Sequence, residues 1–226
     1  MKINIKYQIH TSYLTESEWC CLISNYLDLI KSSKIGKILL NSIDNYIEKE
    51  YKINILNYSK NKSFQYPHCF KNSDKEISIV IPDTPYFIKV QTFNENLIDN
   101  IEISEDIFNL LNGIPITKKL DNSFVNCFST FDFQPNVVTL FHELVHCLRM
   151  LKNINSNFEE ESTIYGLVND ALKIDGKFII ENNFRKELNM KMRISHNSED
   201  YYIYGVNNNK EFSKEYLKNL YSQLMI

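Results

Sequence analysis

The sequence predicts an α+β domain, and three features of its hydrophobic pattern support this prediction. Before residue 52, apolar side chains recur at helical spacing, as Trp19, Leu22 and Ile23 do. Residues 52–90 contain short apolar runs of the kind found in strands, and apolar helical patterns return after Pro135. An order of helices, strands and helices again is typical of an α+β fold.

The predicted elements follow this order along the chain. The first helices cover residues 16–31 and 35–51. The predicted strands are separated by polar or Pro-containing breaks, and they cover residues 52–56, 76–81, 86–90 and 123–128. Pro135 suits a first helical turn, and the later helices cover residues 137–151, 158–172, 179–188 and 211–224. We expect one domain over residues 1–226, with the first helices and the sheet in 1–134 and the chemistry in 135–226.

The composition is that of an ordinary globular protein and excludes some classes of partner. The formal net charge is −3, the sequence pI is about 6.0, and no cluster of Lys and Arg is present that would follow a phosphate backbone. We therefore expect no nucleic-acid partner. No stretch is long and apolar enough to span a membrane, so no membrane partner is expected.

The cysteines and the first residues indicate the compartment. Five cysteines are present, an odd number, and their spacing matches neither a disulfide framework nor a CxxC metal motif. Residues 1–8 alternate between apolar and polar side chains and lack the continuous apolar core of a secretory signal. We expect a reducing compartment and, if the protein is exported, a route that removes no signal peptide.

The strongest chemical signal is the HELVH sequence of residues 142–146, inside a predicted helix. Residues four apart lie on one face of a helix, so the imidazoles of His142 and His146 can bind one metal ion. Glu143 projects about 100° round the helix, where it lies beside the metal and can take a proton from an attacking water. The flanking side chains are apolar, which favours a buried metal helix over two histidines on an amphipathic surface.

A zinc site needs more than two protein ligands, and the residues alone leave the third ligand open. No third histidine follows at the short spacing of the HExxHxxGxxH pattern. The nearest acidic residues are Glu159, Glu160 and Glu161, on the next predicted helix. A carboxylate there would complete a metal site, but the helix dipole also favours acidic residues at a helix start. Spacing does not choose among the three.

Residues 135–196 resemble two groups of bacterial zinc proteases. HELVH followed by FEExxT at residues 158–163 is similar to the motif pair of clostridial neurotoxin light chains. The same pair resembles that of NleD-like type III secretion effector proteases, which also have an ENxxRxEL stretch and an RxS segment. Here residues 181–188 read ENNFRKEL and residues 193–195 read RIS. The first half of the chain shows no such resemblance.

The resemblance implies a zincin-like metalloprotease fold, one Zn²⁺ per chain and endopeptidase activity. The family pattern makes Glu160 the third zinc ligand. In the toxin light chains, an Arg and a Tyr further along the chain stabilise the oxyanion, and Arg193 and His196 stand at the matching positions. His196 departs from the expected Tyr, so Tyr201 and Tyr202 are alternatives for the second role.

The resemblance also implies a biological setting. NleD-like effectors are delivered into host cells and cleave stress-activated MAP kinases in the cytoplasm, so a monomeric secreted virulence protease with a host protein substrate is expected. An extended substrate would pair with a sheet edge, which we expect in residues 76–90. Two other functions stay open. One is a non-catalytic protein that binds a host partner on a degenerate zincin fold, and the other is a zinc hydrolase for a small molecule.

Overall fold

The computed structural model describes residues 3–8, 14–57, 67–82, 86–100, 103–196 and 201–203. The helix predicted for residues 211–224 lies outside the described residues. Within the described part of the chain, no helix has the length and apolar character needed to cross a membrane.

Seven α-helices and nine strands form within the described residues. The helices are α1 (Glu16–Ser32), α2 (Lys34–Ile47), α3 (Glu105–Leu111), α4 (Asn122–Phe128), α5 (Asn136–Leu151), α6 (Glu159–Ile164) and α7 (Glu181–Glu187), with a 3₁₀ helix at Glu95–Asn100. The strands are β1 (Asn4–Lys6), β2 (Lys52–Asn57), β3 (His68–Ser73), β4 (Glu76–Ile81), β5 (Tyr86–Phe93), β6 (Ser129–Gln134), β7 (Lys173–Ile174), β8 (Lys177–Phe178) and β9 (Tyr201–Ile203). The prediction of an α+β fold is confirmed, and the structure contains a small mixed sheet.

The first two helices have bounds that the local sequence explains. Thr15 caps α1 in a capping box: its side chain accepts from the N–H of Glu18, whose carboxylate accepts from the N–H of Thr15 at 2.9 Å. Ser33 ends α1 and also caps α2, so the two helices follow each other directly. The indole of Trp19 donates to the carbonyl of Lys6 at 3.0 Å and so joins α1 to β1.

The strands near the candidate site belong to two sheets. The first has the order β1-β2-β4-β3, in which β1, β2 and β4 are parallel and β3 is antiparallel to β4. The second has the order β6-β5-β9 and is antiparallel. The predicted sheet edge at residues 76–90 is wrong, because β4 and β5 are each paired on both sides. The outer strand that packs against α5 is β3.

Helix α5 lies in the main hydrophobic core and carries the HELVH residues. Its N-cap is Pro135, one position before the first helical turn. Nearly every side chain of α5 is buried, because α1, α2, α7 and the first sheet pack around it. Phe141 stacks on Phe184 of α7 with ring centroids 4.3 Å apart. This packing fixes the rotation of α5 and therefore the direction of His142 and His146.

The strand predicted for residues 123–128 is wrong, because these residues form α4. The side chain of Asp121 caps the helix by accepting from the N–H of Ser123 at 2.8 Å. Phe124 and Phe128 are four residues apart, and their rings lie together with centroids 5.0 Å apart. The strand of this region, β6, starts one residue after the helix ends.

The helix predicted for residues 158–172 is too long, since α6 ends at Ile164. Gly166 has a φ of +76°, a left-handed conformation that ends a helix, and its N–H donates to the Glu161 carbonyl at 3.1 Å. Leu167 then forms a parallel bridge with Ile116. The prediction for residues 35–51 is also too long, because α2 stops at Ile47.

Candidate metal centre

Three side chains from α5 and α6 converge on one point. His142 Nε2 lies 2.9 Å from His146 Nε2, and Glu160 Oε2 lies 3.1 Å from the first nitrogen and 3.3 Å from the second. Tetrahedral ligands about 2.0–2.1 Å from a zinc ion are roughly 3.3–3.4 Å apart. The two distances to Glu160 Oε2 approach this spacing, and the distance between the two nitrogens is shorter. Among the described residues, this is the one group of three or more His, Cys, Asp or Glu side chains close enough to share an ion.

The opposite nitrogen of each ring explains why the two Nε2 atoms meet. His142 Nδ1 lies 2.8 Å from Glu181 Oε2, and His146 Nδ1 lies 2.9 Å from Glu159 Oε1. An ionised carboxylate only accepts hydrogen bonds, so each Nδ1 carries the proton and donates it. In neutral rings the two Nε2 lone pairs then face each other and a carboxylate oxygen. Such an arrangement of acceptors is favourable around a cation, and carboxylates behind ligand histidines are the usual support of a metal site.

The surrounding charges also favour positive charge at this point. Burial alone would lower the pKa of His146, but hydrogen bonds to Glu159 and Glu160 raise it to about 10. Burial opposes protonation of His142 as well, yet hydrogen bonds to Glu160 and Glu181 raise its pKa. For Glu160, burial would raise the pKa, but the two histidines hold it well below its usual range. The same groups would stabilise a metal cation, and two imidazoles with one carboxylate form a donor set that suits zinc.

Glu143 follows His142 on α5 and does not join the converging group. Its side chain is buried, and burial is the main cause that raises its pKa. A carboxylate with a raised pKa is a stronger base and therefore accepts a proton more readily. The position and the environment of Glu143 therefore suit a general base.

Behind His142, Glu181 is the centre of a buried charged cluster. Arg185 Nε donates to its Oε1 at 2.6 Å, and Arg193 Nη1 donates to its Oε2 at 3.0 Å. Burial would raise the pKa of Glu181, but Arg193 and Arg185 hold it well below its usual range. Arg185 also donates to the side chain of Gln134 at the end of β6. The cluster thus connects α5, α7 and the second sheet.

Behind His146, the supporting carboxylate is less buried. Glu159 stands at the start of α6, and its side chain is 34% exposed. The nearest guanidinium nitrogen is Arg149 Nε, 3.9 Å from Glu159 Oε1. Arg149 Nη1 donates instead to the carbonyl of Asp170 at 2.7 Å. Glu159 is therefore oriented mainly by the histidine that it supports.

The two residues predicted to stabilise the oxyanion lie in different places. His196 Nε2 lies 3.2 Å from Glu160 Oε2, the oxygen that lies near the Nε2 atoms of His142 and His146. Arg193 is buried, and its guanidinium donates to Glu181 Oε2 and to the carbonyl oxygens of Ser195 and His196. Of the alternatives Tyr201 and Tyr202, only the backbone in β9 is described.

The sequence alone indicates no role for Glu181. Spacing does not distinguish Glu159 from Glu160 and Glu161, and the family pattern selects only Glu160. Glu181 and Arg185 are four residues apart, a spacing that predicts an ion pair on one helix face. That local signal gives no hint that the pair lies behind His142, which is 39 residues away in sequence.

Comparisons with known proteins identify no relative of this chain. No family model matches it, and neither a curated protein nor a solved structure matches it.

Proposed function

We propose that this protein is a zinc-dependent endopeptidase with a zincin-like fold. The observation that carries the proposal is the convergence of His142 Nε2, His146 Nε2 and Glu160 Oε2 beside the buried Glu143. These three ligands would hold one Zn²⁺, which as a Lewis acid makes water nucleophilic at neutral pH. Three protein ligands, rather than four, are the number found in catalytic zinc sites.

Each side chain of the site would then have a separate role in peptide hydrolysis. Glu143 would take a proton from the water that attacks the peptide carbonyl and deliver it to the nitrogen of the leaving amine. The C–N bond breaks as that nitrogen is protonated, and a carboxylic acid and an amine result. Glu159 and Glu181 would keep both Nδ1 atoms protonated, so that both Nε2 lone pairs stay directed at the metal position.

The biological setting proposed here depends on the resemblance of residues 135–196. We propose a secreted bacterial effector that acts as a monomer in the host-cell cytoplasm. Its substrate would be a host protein, and stress-activated MAP kinases are the class that the resemblance implies. An extended substrate segment would pair with β3, the outer strand that packs against α5.

Metal content and turnover test the proposal together. We expect about one zinc per chain in wild type, a large loss in Glu160→Gln, and full retention in Glu143→Gln. Cleavage of candidate MAP kinases, followed by mass spectrometry, should fall by roughly 10²–10⁴-fold in Glu143→Gln, because the general base is lost. Glu161→Gln is a matched control, since Glu161 lies on the same helix but pairs with Lys119.

Two results would contradict the proposal. The first is wild-type protein that binds no zinc when zinc is supplied. The second is Glu143→Gln protein that cleaves at the wild-type rate. A host partner captured equally by wild type and Glu143→Gln, without any cleavage product, would instead favour the non-catalytic binding protein.

A further inference from the structure

Three sulfur atoms meet where the outer strand β3 packs against α5. The thiol of Cys69 on β3 donates to the thioether of Met150 on α5, with 3.9 Å between Cys69 Sγ and Met150 Sδ. Cys147 precedes Met150 by three residues, so both side chains project from the same side of α5. A hydrogen bond with the Cys147 thiol is the main cause that raises the pKa of Cys69 well above its ordinary value, so the two thiols are neighbours. Cys69, Cys147 and Met150 thus form a three-sulfur group.

The three-sulfur group is separate from the candidate metal centre and is open to solvent on one side. Both cysteines are free thiols. Cys147 is buried in the main core, whereas Cys69 and Met150 are partly buried at its border. Among the described residues, the group of side chains that converges on Glu160 contains no cysteine. An ion held by the three sulfurs would therefore be a second ion, and it could enter from the side of Cys69 and Met150.

The donors of the three-sulfur group determine which metal it suits. Thiolate and thioether sulfurs are soft ligands, a preference that they share with Cu(I). Structural zinc takes four ligands from Cys, His, Asp and Glu. In the described part of the chain, no third side chain of these types lies close enough to Cys69 and Cys147 to share an ion with them. The group therefore suits a soft ion that is satisfied by two or three sulfurs.

The one measured separation agrees with three-coordinate geometry. Metal–sulfur bonds of about 2.3 Å, arranged in a plane around one ion, place neighbouring sulfurs roughly 4.0 Å apart. The 3.9 Å between Cys69 Sγ and Met150 Sδ is close to that spacing. An ion could thus enter between these two sulfurs without a change in the distance between β3 and α5.

We propose that Cys69, Cys147 and Met150 form a binding site for Cu(I). The ion would replace the proton of one thiol, and that proton would pass to solvent. One positive charge then replaces another, so the charge of the pocket is unchanged. This balance is favourable because Glu143 and Glu159 act electrostatically on Cys69 and would oppose added negative charge. The Cu(I) site requires neither zinc nor peptide hydrolysis.

The test uses full-length protein under anaerobic, reducing conditions, with Cu(I) itself as the probe. The chelator bathocuproine disulfonate, which absorbs visible light when it holds Cu(I), competes with the protein and reports the affinity. Wild type should bind about one Cu(I) per chain. X-ray absorption at the copper edge should show sulfur neighbours at about 2.3 Å and no imidazole nitrogen.

Two variants each remove one donor with little change in volume. Cys69→Ser replaces a soft sulfur with a hard oxygen, so the affinity for Cu(I) should fall by at least about 100-fold. Met150→Leu removes only a neutral donor, so the affinity should fall by about tenfold. The double variant Cys21→Ser/Cys127→Ser is the matched control, because both of its thiols are exposed, and it should bind Cu(I) as wild type does. Circular dichroism would confirm that each variant folds.

Four outcomes would overturn the inference. Wild type that binds Cu(I) no more tightly than Cys69→Ser would remove the site. Unchanged affinity in Met150→Leu would exclude the thioether as a donor. Imidazole neighbours in the absorption spectrum would assign the copper to histidines instead. Zinc that is retained by wild type but lost from Cys69→Ser would assign the sulfurs to zinc. The proposed function is tested separately by the zinc content of Glu160→Gln, so either proposal can fail while the other stands.

Discussion

The two candidate ligand histidines, His142 and His146, are each hydrogen-bonded at Nδ1 to a carboxylate, and the two carboxylates differ in their surroundings. Behind His142, Glu181 is fully buried and makes hydrogen bonds to two arginines. Behind His146, Glu159 is one-third exposed, and Arg149 Nε is 3.9 Å away. The hydrogen bond at Nδ1 is nearly the same length on both sides, 2.8 Å and 2.9 Å. Glu181 is thus part of the buried core, whereas the main contact of the Glu159 carboxylate is with His146.

Of the changes that remove one of these two carboxylates, Glu181→Ala is expected to have the largest effect on stability. The substitution leaves Arg185 and Arg193 buried without their counter-charge, so the free energy of unfolding should fall by about 3–5 kcal/mol. Urea unfolding monitored by circular dichroism would measure it. Glu187→Ala is the matched control on the same helix: its carboxylate is 3.3 Å from the N–H of Ile35, and the loss should be about 1 kcal/mol. Equal losses in the two variants would show that the buried cluster is not special.

A smaller effect on stability is expected for Glu159→Gln, combined with a clear effect on metal binding. The zinc dissociation constant, measured by competition with a chelator, should rise by about 10–100-fold, because His146 loses the carboxylate that orients it. The free energy of unfolding should change by less than about 1 kcal/mol, since Glu159 is partly exposed. A stability loss as large as that of Glu181→Ala would contradict the comparison.

A third test of the comparison concerns the pH dependence of the metal-free protein. The pKa of His146 is raised to about 10 in the folded state, so the folded protein binds this proton more tightly than the unfolded chain. The resulting stability is complete below the ordinary histidine pKa of about 6.5 and is lost as pH rises from there towards 10. Urea unfolding of chelator-treated protein across this range should show the decline. In Glu159→Gln, the free energy of unfolding should decline less steeply with pH. An equally steep decline would show that the hydrogen bond from His146 to Glu159 is not its cause.

The parts of the fold that the sequence predicts are those fixed by local pattern. The helix that contains HELVH is apolar on nearly every side, and α1 repeats its buried residues at helical spacing, so both predictions agree with the structure. Residues 123–128 fit a strand and a helix about equally well by pattern. The Asp121 cap and the contact of Phe124 with Phe93, with ring centroids 6.3 Å apart, favour the helix. The contact of Phe124 with Phe93 is tertiary and has no local signal. The Asp121 cap is local, so it is a signal in the sequence that the strand prediction overlooked.

In the candidate site too, some features follow from local sequence and others depend on packing between distant parts of the chain. The spacing of His142 and His146 follows from helix geometry, whereas the position of Glu160 beside them was expected from resemblance alone. The location of Glu181 depends on how α7 packs against α5, through contacts such as Phe141 with Phe184. No local spacing encodes that packing, and the same holds for the contact of Arg193 with Glu181.

The three candidate ligand side chains belong to α5 and α6, whereas His196 follows Arg193, which pairs with Thr92 of β5. Changes of sequence after Arg193 therefore leave the elements that carry His142, His146 and Glu160 unaltered. Under the proposed function, selection for a new substrate can thus act on this part of the chain while the candidate metal site is inherited unchanged.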